Sequence, residues 1–249
     1  MRAAAEFVRH VGAFGLFFAA VFRSAFRYGV RWERVMAEAY KLGWRSFPVL
    51  ATMAVFVGTN LAIQGYASFS ALGAQSLVGM FVALAGVREV CPLLAATMVA
   101  AKGGTEMTAQ LAVMRTKEQI DALEVMAVDP KSELVMPPLL AILIVLPALT
   151  VISIFLALAS ALAVALLQLG LDRGEFLLYL LGNIKMFDIV AAAAKSLVFA
   201  FVIATVSGYF GFFSPKGPEG VGQSTNRAVV AMCVIVISIN FLLTSVLYG

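Results

Sequence analysis

The sequence predicts an all-α integral membrane protein: an N-terminal interfacial amphipathic helix, five transmembrane helices, and a short cytoplasmic helix between spans 2 and 3. Three observations predict it. Of the 249 residues 62% are hydrophobic and only 13% charged, whereas soluble domains run at about half apolar and about a quarter charged. A soluble fold of this length has too little polar surface to cover itself, while membrane helices can turn apolar side chains to lipid. The charge is also unevenly placed, with long uncharged runs between compact basic loops. The net charge of +4 therefore reports orientation in the bilayer, and nucleic acid is not expected as a partner.

Residues 1–45 form the interfacial region. Arg9, Arg23, Arg27, Arg31, Arg34, Lys41 and Arg45 surround the apolar stretch Val11 to Phe22. That stretch is too short to span, but with its phenylalanines and flanking arginines it suits a helix lying on an anionic leaflet. A cleavable signal peptide is the competing reading, although Arg23, Arg27 and Arg31 crowd the place where cleavage would fall.

The bundle occupies 46–249. Residues 46–87 carry no charge; as one helix they would run roughly 63 Å, twice the hydrocarbon core, so the segment folds back. The weakly apolar stretch from Gly65 to Ser76 supplies the turn, placing spans at about 47–66 and 77–101. A third uncharged run, 134–171, has Pro137, Pro138 and Pro147 near its start, where they fit opening turns or a kink, and gives a span at about 138–167. The runs 196–215 and 228–249 give spans at about 194–213 and 228–248. With a cytoplasmic N-terminus, fourteen Lys and Arg fall inside against two outside, Arg173 and Lys185. Splitting the third run would return the same ratio, so charge does not separate five spans from six; length favours five.

Residues 102–133 hold the densest charge in the chain. Thr116-Lys117-Glu118-Gln119 fits a capping box, Lys117 and Asp121 pair at i,i+4, and Ile120, Leu123 and Met126 or Ala127 form an apolar stripe ending before Asp129-Pro130. The expectation is a short amphipathic helix that either rests on the bundle or docks a cytoplasmic partner.

The run VREVCPLLAATMVAAKGGTEMTAQLAVMRTKEQIDALEVMAVDP, from Val87 to Pro130, resembles the core motif of the MlaE (YrbE) permease family, the membrane subunits of ABC transporters that move phospholipids or related lipids with MCE-domain partners. The segment from Met114 to Pro130 is the most specific part. Support extends to IQGY at Ile63 to Tyr66, to KSLVF from Lys195, and to NFLLT from Asn240 to Thr244, so the likeness covers most of the chain after about residue 45.

The resemblance implies a coupling helix at about Thr116 to Ala127, carrying Lys117, Glu118, Ile120, Asp121, Leu123, Glu124 and Met126, that docks into a separate cytoplasmic ABC ATPase. The chain has no GxxxxGK[ST] loop, so ATP hydrolysis is expected on that partner. The resemblance further implies a second permease copy, identical or paralogous, a periplasmic MCE-domain protein, and a bacterial inner-membrane location. Where relatives commonly read AGRxGxAxxAELG, this chain has Lys102, Glu106 and Gln110. Arginine to lysine loses a bidentate fork, and an internal pairing of Lys102 with Glu106 stays open.

Charges inside spans cost about 2.5 to 3.5 kcal/mol each and need partners or water. Arg88, Glu89 and Lys195 are therefore either a structural ion pair involving Glu89 or the lining of a wet lipid cavity. Two cations and one acid would leave a surplus positive charge suited to a phosphate head group. Asn240, where some relatives have an acid, would leave the site more positive. Asn60 and Gln64, at i,i+4 with Leu61 adjacent, are candidates for the same cavity or for helix-packing glue. No catalytic group, metal site or cofactor is expected: His10 is the single histidine, and Cys91 and Cys233 sit in apolar stretches. An intramembrane lipid-modifying enzyme and an ion-coupled secondary transporter are the alternatives, the first lacking clustered nucleophiles or acids, the second an inverted repeat.

Overall fold

The computed structural model of the chain describes residues 12, 14–21, 23–24 and 29–248. Among them there is no strand, and five helices are long and apolar enough to cross a membrane. Residues 14–21 are helical. The long helices follow as α1 (Trp32–Ser70), α2 (Gln75–Thr116), α4 (Lys131–Leu167), α6 (Met186–Phe212) and α7 (Pro218–Tyr248), with the short α3 (Gln119–Val125) and α5 (Arg173–Asn183) between them. Phe7, Arg9, Phe22, Phe26, Arg27 and Tyr28 of the expected interfacial segment, and His10, lie outside the described residues.

Each helix is longer than the span expected for it. α1 starts fifteen residues before the expected boundary and continues through Pro48. Proline removes a single N–H from the ladder, a loss a long, well-packed helix can carry. The turn after α1 is tighter than expected: Gly73 adopts φ +67, Gly73 N–H bonds to Ser70 O (3.1 Å) and Ala74 N–H to Phe69 O (3.0 Å). That is the double hydrogen bond of a Schellman cap, whose left-handed position favours glycine. The third run is one helix, so the count is five; Pro137 and Pro138 fall where its opening π-helical turn, Lys131–Val135, passes into the α-helical part, Met136–Leu167. α5 has no counterpart among the elements the sequence predicts; it is capped by Asp172, whose carboxylate accepts from Glu175 N–H at 2.9 Å.

The chain folds as two compact units. The first comprises Met1–Leu42, Ala100–Ile144 and Phe201–Cys233. In it the helical segment at 14–21 buries Phe17, Phe18 and Val21 while Leu16 is exposed, the one-sided pattern of an amphipathic helix. Phe17 meets Tyr209, Phe212 and Phe213 with ring centroids 5.2 to 6.0 Å apart, an aromatic cluster of mostly tilted and edge-on pairs. Gly211 lets α6 approach α2 closely, since a Cβ there would lie 2.9 Å from Thr108 O.

The second unit comprises Gly43–Val99, Val145–Ala200 and Val234–Gly249. Its core packs Ala62, Val78, Val82, Ala83, Ala161, Ala165, Phe176 and Leu180. Small residues again set the helix spacing: a Cβ on Gly79 would stand 2.6 Å from Phe176 O, and one on Gly58 would overlap the Ala157 carbonyl.

Candidate functional site

Two groups of the sequence-selected residues take shape, one in each unit. In the second unit α2 is interrupted by a π-helical turn over Gly86–Val90, a local widening often found at functional positions. It carries Arg88 and Glu89. Arg88 Nε lies 2.9 Å from Asp188 Oδ1, but off the N–H direction, so the contact is ionic and leaves the Nε–H without a hydrogen bond. The side chain of Asp188 is 3% exposed and that of Arg88 29%.

Asp188 also accepts from Lys185 N–H at 2.9 Å. Lys195 is fully buried; its Nζ donates to Arg88 O (2.9 Å) and to Thr244 Oγ1 (2.8 Å). The ring of Tyr248 lies under both cations, with Arg88 Cζ 4.6 Å and Lys195 Nζ 5.2 Å from its centroid, a geometry that offsets part of the desolvation of each. Asn240 is buried, and its Oδ1 has no hydrogen-bond partner among the described residues.

This arrangement changes the expected charge balance. The acid that pairs with Arg88 is Asp188; Glu89 is exposed. With Asp188 counted, two cations meet two acids and the surplus positive charge disappears. Asp188, Thr244 and Tyr248 had a readable signal. Asp188 and Lys195 are seven residues apart, and Asn240, Thr244 and Tyr248 recur every four, so each set shares a helix face. The signal was lost because the fourth span was expected to begin near 194, whereas α6 begins at Met186. Asn60 and Gln64 are exposed and hydrogen-bonded to one another, and Leu61 is half-buried; Asn60 and Leu61, with Phe56 and Val57, edge a shallow apolar groove on α1, which Gln64 does not line.

In the first unit the expected capping box does not form. α2 runs on through Thr116, whose hydroxyl bonds back to Ala112 O at 3.0 Å and accepts from Gly217 N–H at 3.2 Å. The chain then turns through Glu118, left-handed at φ 58, and α3 starts at Gln119. Nor does Asp121 pair with Lys117: it meets Arg115 at 2.6 Å and Lys216 at 3.5 Å, while Lys216 also donates to Glu118 at 2.8 Å. The hydrogen bond to Glu118, with the attraction of both carboxylates, holds the Lys216 ammonium above the ordinary lysine range against a smaller opposing desolvation. Long-range partners from the loop before α7 outcompete the local pair, which helical spacing alone makes worth only about 0.2 to 0.5 kcal/mol.

α3 ends on a second left-handed residue, Ala127 at φ 58, with Ala127 N–H on Glu124 O and Val128 N–H on Leu123 O, both at 3.0 Å. This is again a Schellman cap, with alanine where glycine is favoured. Of the predicted stripe, Ile120 is buried, Leu123 half-buried and Met126 63% exposed; Val125 is 88% exposed. Ile120, Glu118 and Asp121 therefore hold the helix in place, while Lys117, Glu124, Val125 and Met126 face outward. Near its base Lys41 Nζ pairs with Glu106 at 2.7 Å, and Gln110 donates to Glu106 at 3.3 Å. Ser24 hydrogen-bonds Asp129, and Arg31 and Arg34 both pair with Glu133, tying the N-terminal segment to the start of α4.

The family model described as Permease MlaE matches residues 35–246. A probable ABC transporter permease protein of Rickettsia felis is 32% identical over 98% of this chain and 94% of its own length. A probable ABC transporter permease protein of Synechocystis is 31% identical over 87% of this chain and 82% of its own. The intermembrane phospholipid transport system permease protein MlaE of Haemophilus influenzae is 28% identical over 86% of this chain and 83% of its own.

Proposed function

The chain belongs to the Permease MlaE family, and from that premise we propose that it is the transmembrane subunit of an ABC transporter moving phospholipid or a related lipid between the bacterial inner membrane and the periplasm or outer membrane. ATP is hydrolysed by a separate cytoplasmic ATPase, since this chain has no phosphate-binding loop. The N-terminus faces the cytoplasm, as the fourteen-to-two distribution of basic residues favours. A periplasmic MCE-domain protein and a second permease copy complete the assembly. Val230, Val234, Ile237 and Phe241, exposed at helical spacing on α7, are suited to meet that copy or lipid.

The observation that carries this reading is α3 itself. A helix of seven residues is too short to be stable alone, yet it is clamped by Ile120, Arg115 and Lys216 and offers Glu124, Val125 and Met126 outward. Such a clamp transmits a push on the exposed end to α2 and to the loop before α7. For the lipid, the family relative of Haemophilus supplies the substrate class, and the mixed-charge cluster at Arg88 with the apolar groove at Leu61 supports it: a phosphate for the cation, acyl chains for the groove.

Replacing Val125 and Met126 together by Glu and Arg tests the coupling, because neither side chain supports the fold. The expected result is loss of the co-purifying ATPase, or of lipid-stimulated hydrolysis, with the permease still folded. Normal ATPase association and coupling in that variant would overturn the assignment.

A further inference from the structure

The chain between α4 and α6 carries an exposed apolar face to which the proposed function gives no task. α5 buries Phe176 and Leu180 in the core of the second unit, and its backbone lies so close to α2 that a Cβ on Gly79 would stand 2.6 Å from Phe176 O. A helix docked on one side and bathed in water on the other turns polar residues outward. α5 does not. Opposite Phe176 come Leu178 and Leu181, 71% and 63% exposed, with the exposed Gly174 and Gly182 beside them. After Arg173 at its start, the polar residues of α5 are Glu175, Tyr179 and Asn183, which recur every four positions and so share one narrow stripe. Asn183 Nδ2 donates to Tyr179 O along that stripe at 2.7 Å. A helix that is apolar toward its own bundle and apolar outward, with a single polar edge, suits the plane of a membrane surface.

The depth agrees with that setting. α6 has 27 residues, about 40 Å of helix, which exceeds a hydrocarbon core by only about 10 Å. α5 ends at Asn183, three positions before α6 begins at Met186, so its end stands at head-group level. The apolar surface is continuous there, since Leu167 at the end of α4 and Met186 and Phe187 at the start of α6 are also exposed. Between Leu167 and Met186 the charged residues are Asp172, Arg173, Glu175 and Lys185, two of each sign. A segment without net charge gains nothing from an anionic leaflet, in contrast to the basic N-terminal region. Burial of apolar surface is what remains to hold its outward face.

We infer that α5 is an in-plane membrane helix whose outward face, Leu178 and Leu181, inserts among the acyl chains of a lipid surface, and that this contact is indifferent to head-group charge. The inference rests on the permease reading only for the choice of leaflet: with a cytoplasmic N-terminus, α5 lies in the non-cytoplasmic one.

The test attaches a nitroxide spin label to Leu178→Cys, Leu181→Cys or Glu175→Cys in the full chain, with Cys91→Ala and Cys233→Ala removing the native thiols and the co-purifying subunits kept, in nanodiscs. It measures collision of each label with oxygen, which concentrates among acyl chains, and with a neutral nickel complex, which stays in water. Relative to the label at position 175, the two at the leucines should lose most of their nickel collisions and gain oxygen collisions. The result should be the same in phosphatidylcholine alone and in phosphatidylcholine mixed with phosphatidylglycerol. Nickel collisions as frequent at the leucines as at position 175 would place the face in water and overturn the inference. Suppression of both reagents would mean that a protein subunit covers it, and overturns it too, as does insertion seen only with phosphatidylglycerol. In the chain with its own cysteines, quenching of Leu178→Trp by brominated acyl chains, beyond that of Trp32 and Trp44 in the parent chain, reads the same insertion, and its absence counts equally against it. None of these failures touches the permease reading, which stands on the family and on α3.

Discussion

Both units hold their sequence-selected residues with ion pairs, and the pairs differ in kind. In the first unit Lys216 and Glu118 have side chains 51% and 69% exposed; in the second, the Asp188 side chain that pairs with Arg88 is 3% exposed. An exposed pair gains little, because water screens it and two flexible side chains must be ordered, so its worth is about 0 to 1 kcal/mol. A buried pair contributes little net stability either, since desolvation offsets attraction, but removing one partner strands the other and costs about 3 to 5 kcal/mol. α3 is thus held by connections that can be broken and remade, while the cluster around Arg88 is a fixed fitting. The proposed function, with α3 as a moving coupling element and the Arg88 cluster as a steady lipid site, calls for that difference.

The sharpest way to break the comparison is Asp188→Ala. It should destabilise the purified protein by about 3 kcal/mol, read as loss of resistance to denaturant, whereas a change below about 1 kcal/mol would mean that Arg88 finds water or another partner. Next is Gly79→Ala, which puts a methyl 2.6 Å from the Phe176 carbonyl oxygen. Backbone must shift, and a loss of about 1 to 3 kcal/mol in the second unit is expected in the same assay.

Ala127→Gly works in the opposite direction. It relieves a left-handed alanine at the α3 cap and should stabilise α3 by up to about 1 kcal/mol, seen as slower hydrogen exchange at Val128 and Ala127. If exchange quickens, the strain is not what limits α3. The smallest effect belongs to Lys216→Ala, a slight loss of resistance to denaturant that high salt reduces further. Because the Lys216 ammonium is raised in the folded protein, its contribution is fully present below the ordinary lysine value of about 10.4 and fades as pH climbs through the higher folded value. Wild type and Lys216→Ala should therefore converge in stability in strongly alkaline buffer.

Much of this is legible in the residues alone. The five spans follow from uncharged runs whose lengths match a bilayer, and α3 from its apolar stripe and the Asp129-Pro130 stop. The differences lie at element ends. Thr116 reads as a helix start because Ser and Thr cap helices by side-chain hydrogen bonds, yet the same hydroxyl equally serves a continuing helix by bonding to Ala112 O. Which use prevails depends on Gly217 and Lys216, a hundred residues away. α6 likewise extends past its uncharged run to include Asp188, because a charge that finds a partner inside the protein no longer marks the end of a span.

The sequence by itself determined the number of spans, the membership of the family, the place of the short helix α3 and the identity of three of the four intramembrane charges. Those follow from local composition, since a helix satisfies its own backbone and needs only enough apolar length to cross. Only the tertiary structure decided which acid meets Arg88, which carboxylate is left facing outward, and which basic residues clamp α3. Ion pairs between helices depend on where their faces meet in space, and an acid a hundred residues away, such as Asp188, competes on equal terms with the neighbour in sequence, Glu89.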